Sequence, residues 1–180
     1  MRTAYELARA REYETVTRPR IRIRYVHGAY GEMEFEAFDP SPPPPGTTLL
    51  TRFPYAGATL SATHRATINR VAANAIARMP GAPALHCIFI DVEGHEDETG
   101  DPARFGRLGR DRATAVAKAL AARIKALASK KPQSELRDVV LNVSTAGPTR
   151  PIRSSTTADG RALNRRVEVR VRVEPCGMIA

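Results

Sequence analysis

The stretch Ile90-Asp-Val-Glu-Gly-His-Glu-Asp-Glu-Thr-Gly100, extended by Asp101, concentrates side chains that could do chemistry. Glu93, His95, Glu96, Asp97, Glu98 and Asp101 place carboxylates and an imidazole close enough together to suggest a cation. Their spacing fits neither a calcium-binding EF-hand loop nor a His-Glu-x-x-His zinc helix, so no metal ligand set is assigned and His95 reads as a residue that orients a turn. The chain has no Gly-x-Ser-x-Gly elbow, phosphate loop or dinucleotide fingerprint, and Cys87 sits in an apolar run where a thiol is ordinarily inert packing. Catalysis and a cofactor are not expected. An acidic turn is thus followed by a basic helix.

The elements that must position these groups can be read from periodicity. Ser61 is a suitable N-cap for a helix with Ile68, Val71, Ala72, Ala75, Ile76 and Met79 at three- and four-residue steps, stopped by Pro80-Gly81. Leu85 to Val92 reads as an apolar strand that leads into the acidic loop. Asp101-Pro102 marks the start of a second helix running to about Ser129, with Phe105, Leu108, Val116, Leu120, Ile124 and Leu127 on one face. Thr47 to Phe53, Leu136 to Ser144 and Arg165 to Val173 supply further strands; in the last, Val167, Val169, Val171 and Val173 alternate with charged residues. The order βαβαββ predicts an α+β, two-layer domain with two helices on one face of a mixed sheet.

Ahead of this domain, Asp39-Pro-Ser-Pro-Pro-Pro-Pro-Gly46 is a stiff, polyproline-like seam. It divides the chain into an N-terminal extension (1–38), a linker (39–46), the main domain (47–174) and a tail (175–180). Within the extension, Arg20 to Val26 and Glu32 to Phe38 both alternate and predict a β-hairpin, with Arg24, Arg22 and Arg20 facing Glu32, Glu34 and Glu36. Ile21, Ile23, Met33 and Phe35 then share an apolar face, which two strands alone hold weakly, so the hairpin is expected to dock on a larger body.

The 180 residues carry 28 Lys+Arg and 19 Asp+Glu, a net charge of +9. Residues 1–48 hold seven arginines and seven acids, so the whole excess lies in the main domain. Such an excess suggests an anionic partner: nucleic acid, a lipid surface or a cell-wall polymer. Aromatic residues at 6%, with no Trp and no nucleic-acid motif, count against base stacking. No apolar run approaches the ~18 residues of a membrane span, and Met1 to Leu7 has no apolar secretion core. Cys87 and Cys176 make neither a disulfide framework nor a zinc set and allow at most one bridge, which leaves the redox compartment open.

Four motifs follow in order: Gly94-His-Glu-Asp97, then Leu108-Gly-Arg-Asp-Arg112-Ala113-x-x-Val116, Gly147-x-x-x-Pro151 and Asn164-Arg-Arg-Val167. Together, over about residues 49–173, they resemble the OmpA-like C-terminal domain, the peptidoglycan-binding module of outer-membrane proteins, peptidoglycan-associated lipoproteins and flagellar stator anchors. The resemblance implies a ligand, the diaminopimelate residue of the peptidoglycan peptide stem, whose ammonium is bound at Asp97 and whose carboxylate is bound at Arg112. A carboxylate and a guanidinium suit a zwitterion, and the guanidinium fork meets a carboxylate through two parallel N–H bonds. Arg165 is implied as a second carboxylate contact and Thr99 as a neighbour in the same site. His95 and Asn164 are implied as supports, with Gly94 and Gly100 permitting tight turns. Glu96 stands where the family has Thr, Phe105 where it has Asn and Gly109 where it has Ser, and the last two changes remove side-chain donors near the ligand.

The function implied is therefore non-enzymatic anchoring to the cell wall in the periplasm or cell envelope. An alternative keeps the fold but binds a protein partner through the hairpin or the altered pocket. A third, nucleic-acid binding, rests on charge alone.

Overall fold

The computed structural model describes residues 19–26, 40, 42–99 and 105–176. Five strands and three helices follow in the order β1 (Ile21–Tyr25), β2 (Thr48–Leu50), α1 (Ala62–Arg78), β3 (His86–His95), α2 (Arg107–Ala128), β4 (Val139–Gly147), α3 (Ala158–Asn164) and β5 (Val167–Pro175). They form one mixed sheet in the order β1-β4-β3-β5-β2. β3 pairs parallel with β4, a connection that needs a crossover element, and α2 provides it. β5 pairs antiparallel with β3 and with the short β2. The α+β architecture with two long helices on one sheet face agrees with the sequence reading.

Helix α1 begins at Ser61, whose hydroxyl accepts from the His64 amide while His64 Nδ1 accepts from the Ser61 amide, closing a capping box with histidine at the third position. With Nδ1 accepting, Nε2 carries the proton and donates to Thr51 O at 2.6 Å. The ring also stacks on Phe53, with centroids 4.2 Å apart. One imidazole thus ties the helix start to the loop after β2. The buried face, Ile68, Val71, Ala72, Ala75 and Ile76, is the stripe expected from periodicity.

Helix α2 buries Gly109, Arg112, Ala113, Val116, Ala117, Leu120, Ile124 and Ala128. The expected stripe is displaced at both ends: Phe105, Leu108 and Leu127 are only half-buried, because the small residues at 109, 113 and 117 lead the contact and draw the helix close to the sheet. The helix begins at Arg107, with Gly106 at the N-cap in a left-handed conformation (φ 85°); Asp101 and Pro102 lie outside the described residues.

Other boundaries also moved. β3 starts at His86, leaving Leu85 exposed, and continues three residues past Val92 through Glu93, Gly94 and His95, because β4 and β5 both keep pairing there. β4 runs from Val139 to Gly147, with Leu136 instead capping a short 3-10 turn, Gln133–Glu135. α3 was not predicted; its Thr157 cap accepts from the Gly160 amide at 3.0 Å. The predicted arm Arg20–Val26 forms β1, which pairs parallel with β4 at the sheet edge, with Ile21 and Ile23 against the core. The arm Glu32–Phe38 lies outside the described residues.

Cys87 and Cys176 form a disulfide, the one bridge two cysteines allow, so Cys87 packs in its apolar run as half of a cystine rather than as a thiol. Cys176 also donates its amide to Leu85 O at 2.7 Å, so the end of β5 is fastened beside the start of β3. Among the described residues no helix is long and apolar enough to cross a membrane.

Two predictions follow from this packing. The helix and sheet approach most closely at Gly94, where an added Cβ would sit 1.8 Å from Gly109 O. Gly94→Ala is expected to cost at least about 2 kcal/mol in urea denaturation, since backbone rather than a yielding side chain stands in the way. Cys176→Ser is expected to lower stability by about 2–4 kcal/mol, measured without reductant, because the bridge closes a long loop with a sequence separation of 89.

Candidate functional site

Beyond the last core residue of β3, Val92, the chain turns from apolar to charged where four segments meet. These are the end of β3, the first turns of α2, the loop 53–57 after β2, and the α3–β5 junction. Charged groups buried there need partners, and more than one of these segments supplies them.

Arg112, at 0% exposure, shares with Arg166 the place of largest fully buried side chain among the described residues. Its Nε donates to Gly57 O at 3.1 Å, Nη1 to His95 O at 3.1 Å, and Nη2 to Pro54 O at 2.8 Å and Tyr55 O at 3.2 Å. The guanidinium lies 5.8 Å from the Phe53 ring centroid. Burial pushes its pKa down to about 10, opposed by the nearby carboxylates of Glu96 and Asp97, so it remains a cation at neutral pH.

Asp97, 4% exposed, pairs with Arg165 rather than directly with Arg112. Arg165 Nη1 donates to Asp97 Oδ2 at 2.7 Å, and its Nε donates to Phe53 O at 2.9 Å. The other carboxylate oxygen of Asp97 accepts from the Thr99 amide at 2.9 Å and from the Thr99 hydroxyl. The side chain of Arg165 is 15% exposed, so it is the guanidinium of this node that reaches solvent. Asp97, Thr99, Arg112 and Arg165 therefore belong to one polar node, with Arg112 behind and Arg165 in front.

The supporting residues fall into two groups. Asn164, fully buried, accepts from the Ile152 and Arg153 amides at 2.9 and 3.0 Å and donates to Arg153 O and Ser155 Oγ, holding the segment that precedes α3. Gly94 is the close-approach position already described. His95 presents its carbonyl to Arg112, but its ring points to the opposite sheet face, where burial, with Arg166 and Arg150 nearby, pushes its pKa down to about 2. Gly100 lies outside the described residues.

Sequence reasoning missed two parts of this site. One is the role of Glu96, which in the sequence reads as one acid of a cluster and as a departure from a pattern. Its Oε1 accepts the Gly109 amide at 2.6 Å, capping from outside a helix whose own N-cap, Gly106, has no side chain to do so. Burial raises its pKa, opposed by the Gly109 amide, the Arg112 charge and the Gly106 amide. A glutamate some ten residues ahead of an uncapped helix is a weak signal, but it was present. The other is the loop 53–57, which acts through backbone carbonyls that leave no mark in side-chain spacing. Gly109, likewise, lacks a side chain for a local reason: a Cβ there would lie 2.6 Å from Thr145 Oγ1 and 3.1 Å from Gly94 O.

The OmpA family model matches residues 52–165. The C-terminal domain of Helicobacter pylori MotB superposes with a TM-score of 0.50 at 21% identity, covering 71% of this chain and 85% of that one. A larger periplasmic domain of Helicobacter pylori MotB gives 0.50 at 22% identity, covering 73% and 78%. The peptidoglycan-associated lipoprotein from Burkholderia pseudomallei gives 0.49 at 20% identity, covering 68% and 88%. No curated protein sequence matches the chain significantly.

Glu96 generates a prediction about the helix start. Glu96→Ala is expected to cost about 1–2 kcal/mol in urea denaturation, as loss of a helix cap does. Glu96→Gln, which keeps an oxygen to accept from Gly109, is expected to lose clearly less. Equal losses from both would show that the cap is not what Glu96 contributes.

Proposed function

The chain belongs to the OmpA family, and from that membership we propose that it is a non-enzymatic module that holds the diaminopimelate-containing peptide stem of peptidoglycan and so anchors an assembly to the cell wall. The observation that carries this reading is the node at the end of the sheet in which the buried Asp97 carboxylate pairs with Arg165, the guanidinium that reaches solvent, with the buried Arg112 cation behind them.

A zwitterionic side chain, with an ammonium and a carboxylate on one carbon, exchanges partners with such an ion pair. The ammonium takes the place of Arg165 at Asp97, and the carboxylate takes the guanidinium that Asp97 releases. Thr99 holds the Asp97 carboxylate during that exchange through its amide and hydroxyl. Arg112 is enclosed by the carbonyls of Pro54, Tyr55 and Gly57. Its direct contact with a ligand carboxylate requires that loop to shift; without a shift it contributes a fixed positive charge behind the site. The two arginines differ in this way although each presents the same guanidinium.

The disulfide supports placing the protein in the cell envelope. Such bonds persist in oxidising compartments such as the periplasm and are rare in the cytosol.

Titration with a purified muropeptide that contains diaminopimelate tests the proposal. Saturable binding is expected for the parent, with at least a tenfold loss for Asp97→Asn and for Arg165→Ala, and weaker binding of the corresponding stem with lysine, which lacks the second carboxylate. Absence of saturable binding, or equal affinity across the variants, would sink it.

A further inference from the structure

On the sheet face turned away from the two long helices, Glu93 of β3 and Glu168 of β5 are direct cross-strand partners. Two carboxylates opposite one another repel. His95, two residues beyond Glu93, lies on the same face and sends its ring between them, with Nε2 3.3 Å from Glu168 Oε1 and 3.7 Å from Glu93 Oε2. The ring is 1% exposed, and neither of its nitrogens has a hydrogen-bond partner. Buried polar atoms are ordinarily satisfied, so an imidazole left bare between two carboxylates calls for a specific explanation. One ligating atom from each of the three residues lies within 4.8 Å of the others. A cavity of about 160 Å³, lined in part by Glu93, Glu168, Asp91 and Arg150, opens beside them and offers a path from solvent.

We propose that Glu93, His95 and Glu168 form a Zn²⁺ site, with three protein ligands and a fourth position open to this cavity. One imidazole nitrogen with two carboxylate oxygens is a donor set zinc accepts, and three protein ligands plus a water complete its tetrahedron. Magnesium and calcium favour oxygen alone and have no use for the imidazole. The spacing within the acidic stretch does not reveal this set, because the third ligand arrives from β5.

Two arginines shape the site. Arg166 directs both Nε and Nη2 to a single oxygen of Glu168, Oε1, at 2.8 and 2.6 Å, which orients that carboxylate as an outer-shell partner does. Arg150 bonds Glu93 Oε2 from a side chain that is 42% exposed. It is the arm that swings into solvent when the cation enters, so metal and Arg150 compete for Glu93.

Tag-free, chelator-treated protein should therefore be titrated with Zn²⁺ by calorimetry and by competition with a chromophoric chelator, with Mg²⁺ as the comparison. One Zn²⁺ per chain and a raised Tm are expected, with little response to Mg²⁺. Glu93→Gln and Glu168→Gln should each weaken Zn²⁺ binding at least tenfold, and His95→Gln should do the same. Arg150→Ala, a change on an exposed arm, should strengthen it severalfold. The site is refuted if neither the parent nor Arg150→Ala binds Zn²⁺ saturably, or if binding survives both Glu93→Gln and His95→Gln unchanged.

Discussion

The buried guanidinium of Arg112 is the constraint around which the ligand end of this domain is arranged. A cation taken out of water is tolerated only if its N–H groups are met, and leaving it unpaired would cost several kcal/mol. The carbonyls that meet it come from Pro54, Tyr55, Gly57 and His95. One side chain on α2 thus fixes the course of the loop after β2, the exit of β3 and the rotation of its own helix. Phe53 links the same loop to α1 through its stack on His64, and to the α3–β5 junction through its carbonyl, which accepts from Arg165.

Two of the three positions read as departures from the family pattern, Glu96 and Gly109, have a shared local reason. Gly106 has no side chain to cap α2, and Glu96 caps it from the end of β3. Gly109 has no Cβ because Thr145 and the Gly94 carbonyl occupy that space. Helix and strand therefore come together backbone to backbone, and the carboxylate that caps the helix also sits beside Arg112. Glu96 and Gly109 are linked by one hydrogen bond, and the absence of a side chain at 109 is what lets the helix sit close enough to form it.

The two sheet faces have different characters. Toward the helices, Ile88, Ile90 and Val92 of β3 join Leu141, Val143, Val167 and Val169 in the core. On the other face the same strand carries Asp91, which accepts from Arg172 at 2.8 and 3.1 Å and from Asn142 at 2.9 Å, while Arg172 also lies over the Phe89 ring. Arg172 of β5 answers Asp91 of β3 and also pairs with Glu174 on its own strand, whereas Glu168 lies directly opposite Glu93, a like charge. Glu93, His95 and Glu168 continue the row, with Arg150 on Glu93 and Arg166 on Glu168.

Sequence by itself determined the layers, the two long helices and most of the strands, because each depends on local periodicity and caps: Ser61 at the start of α1, the three- and four-residue steps to Ile76, and the alternating valines of β5. The motif order also identified Asp97, Arg112 and Arg165 as members of one locality. What only the tertiary structure decided is how those residues divide the work. Which arginine pairs with Asp97, which is sealed by carbonyls, and where Glu96 sends its carboxylate depend on segments distant in sequence. So do the Cys87–Cys176 bridge and the meeting of His95 with Glu168 across two strands. Periodicity reports which face a residue takes, whereas a buried charge is settled by whatever partners the folded chain brings within hydrogen-bond reach.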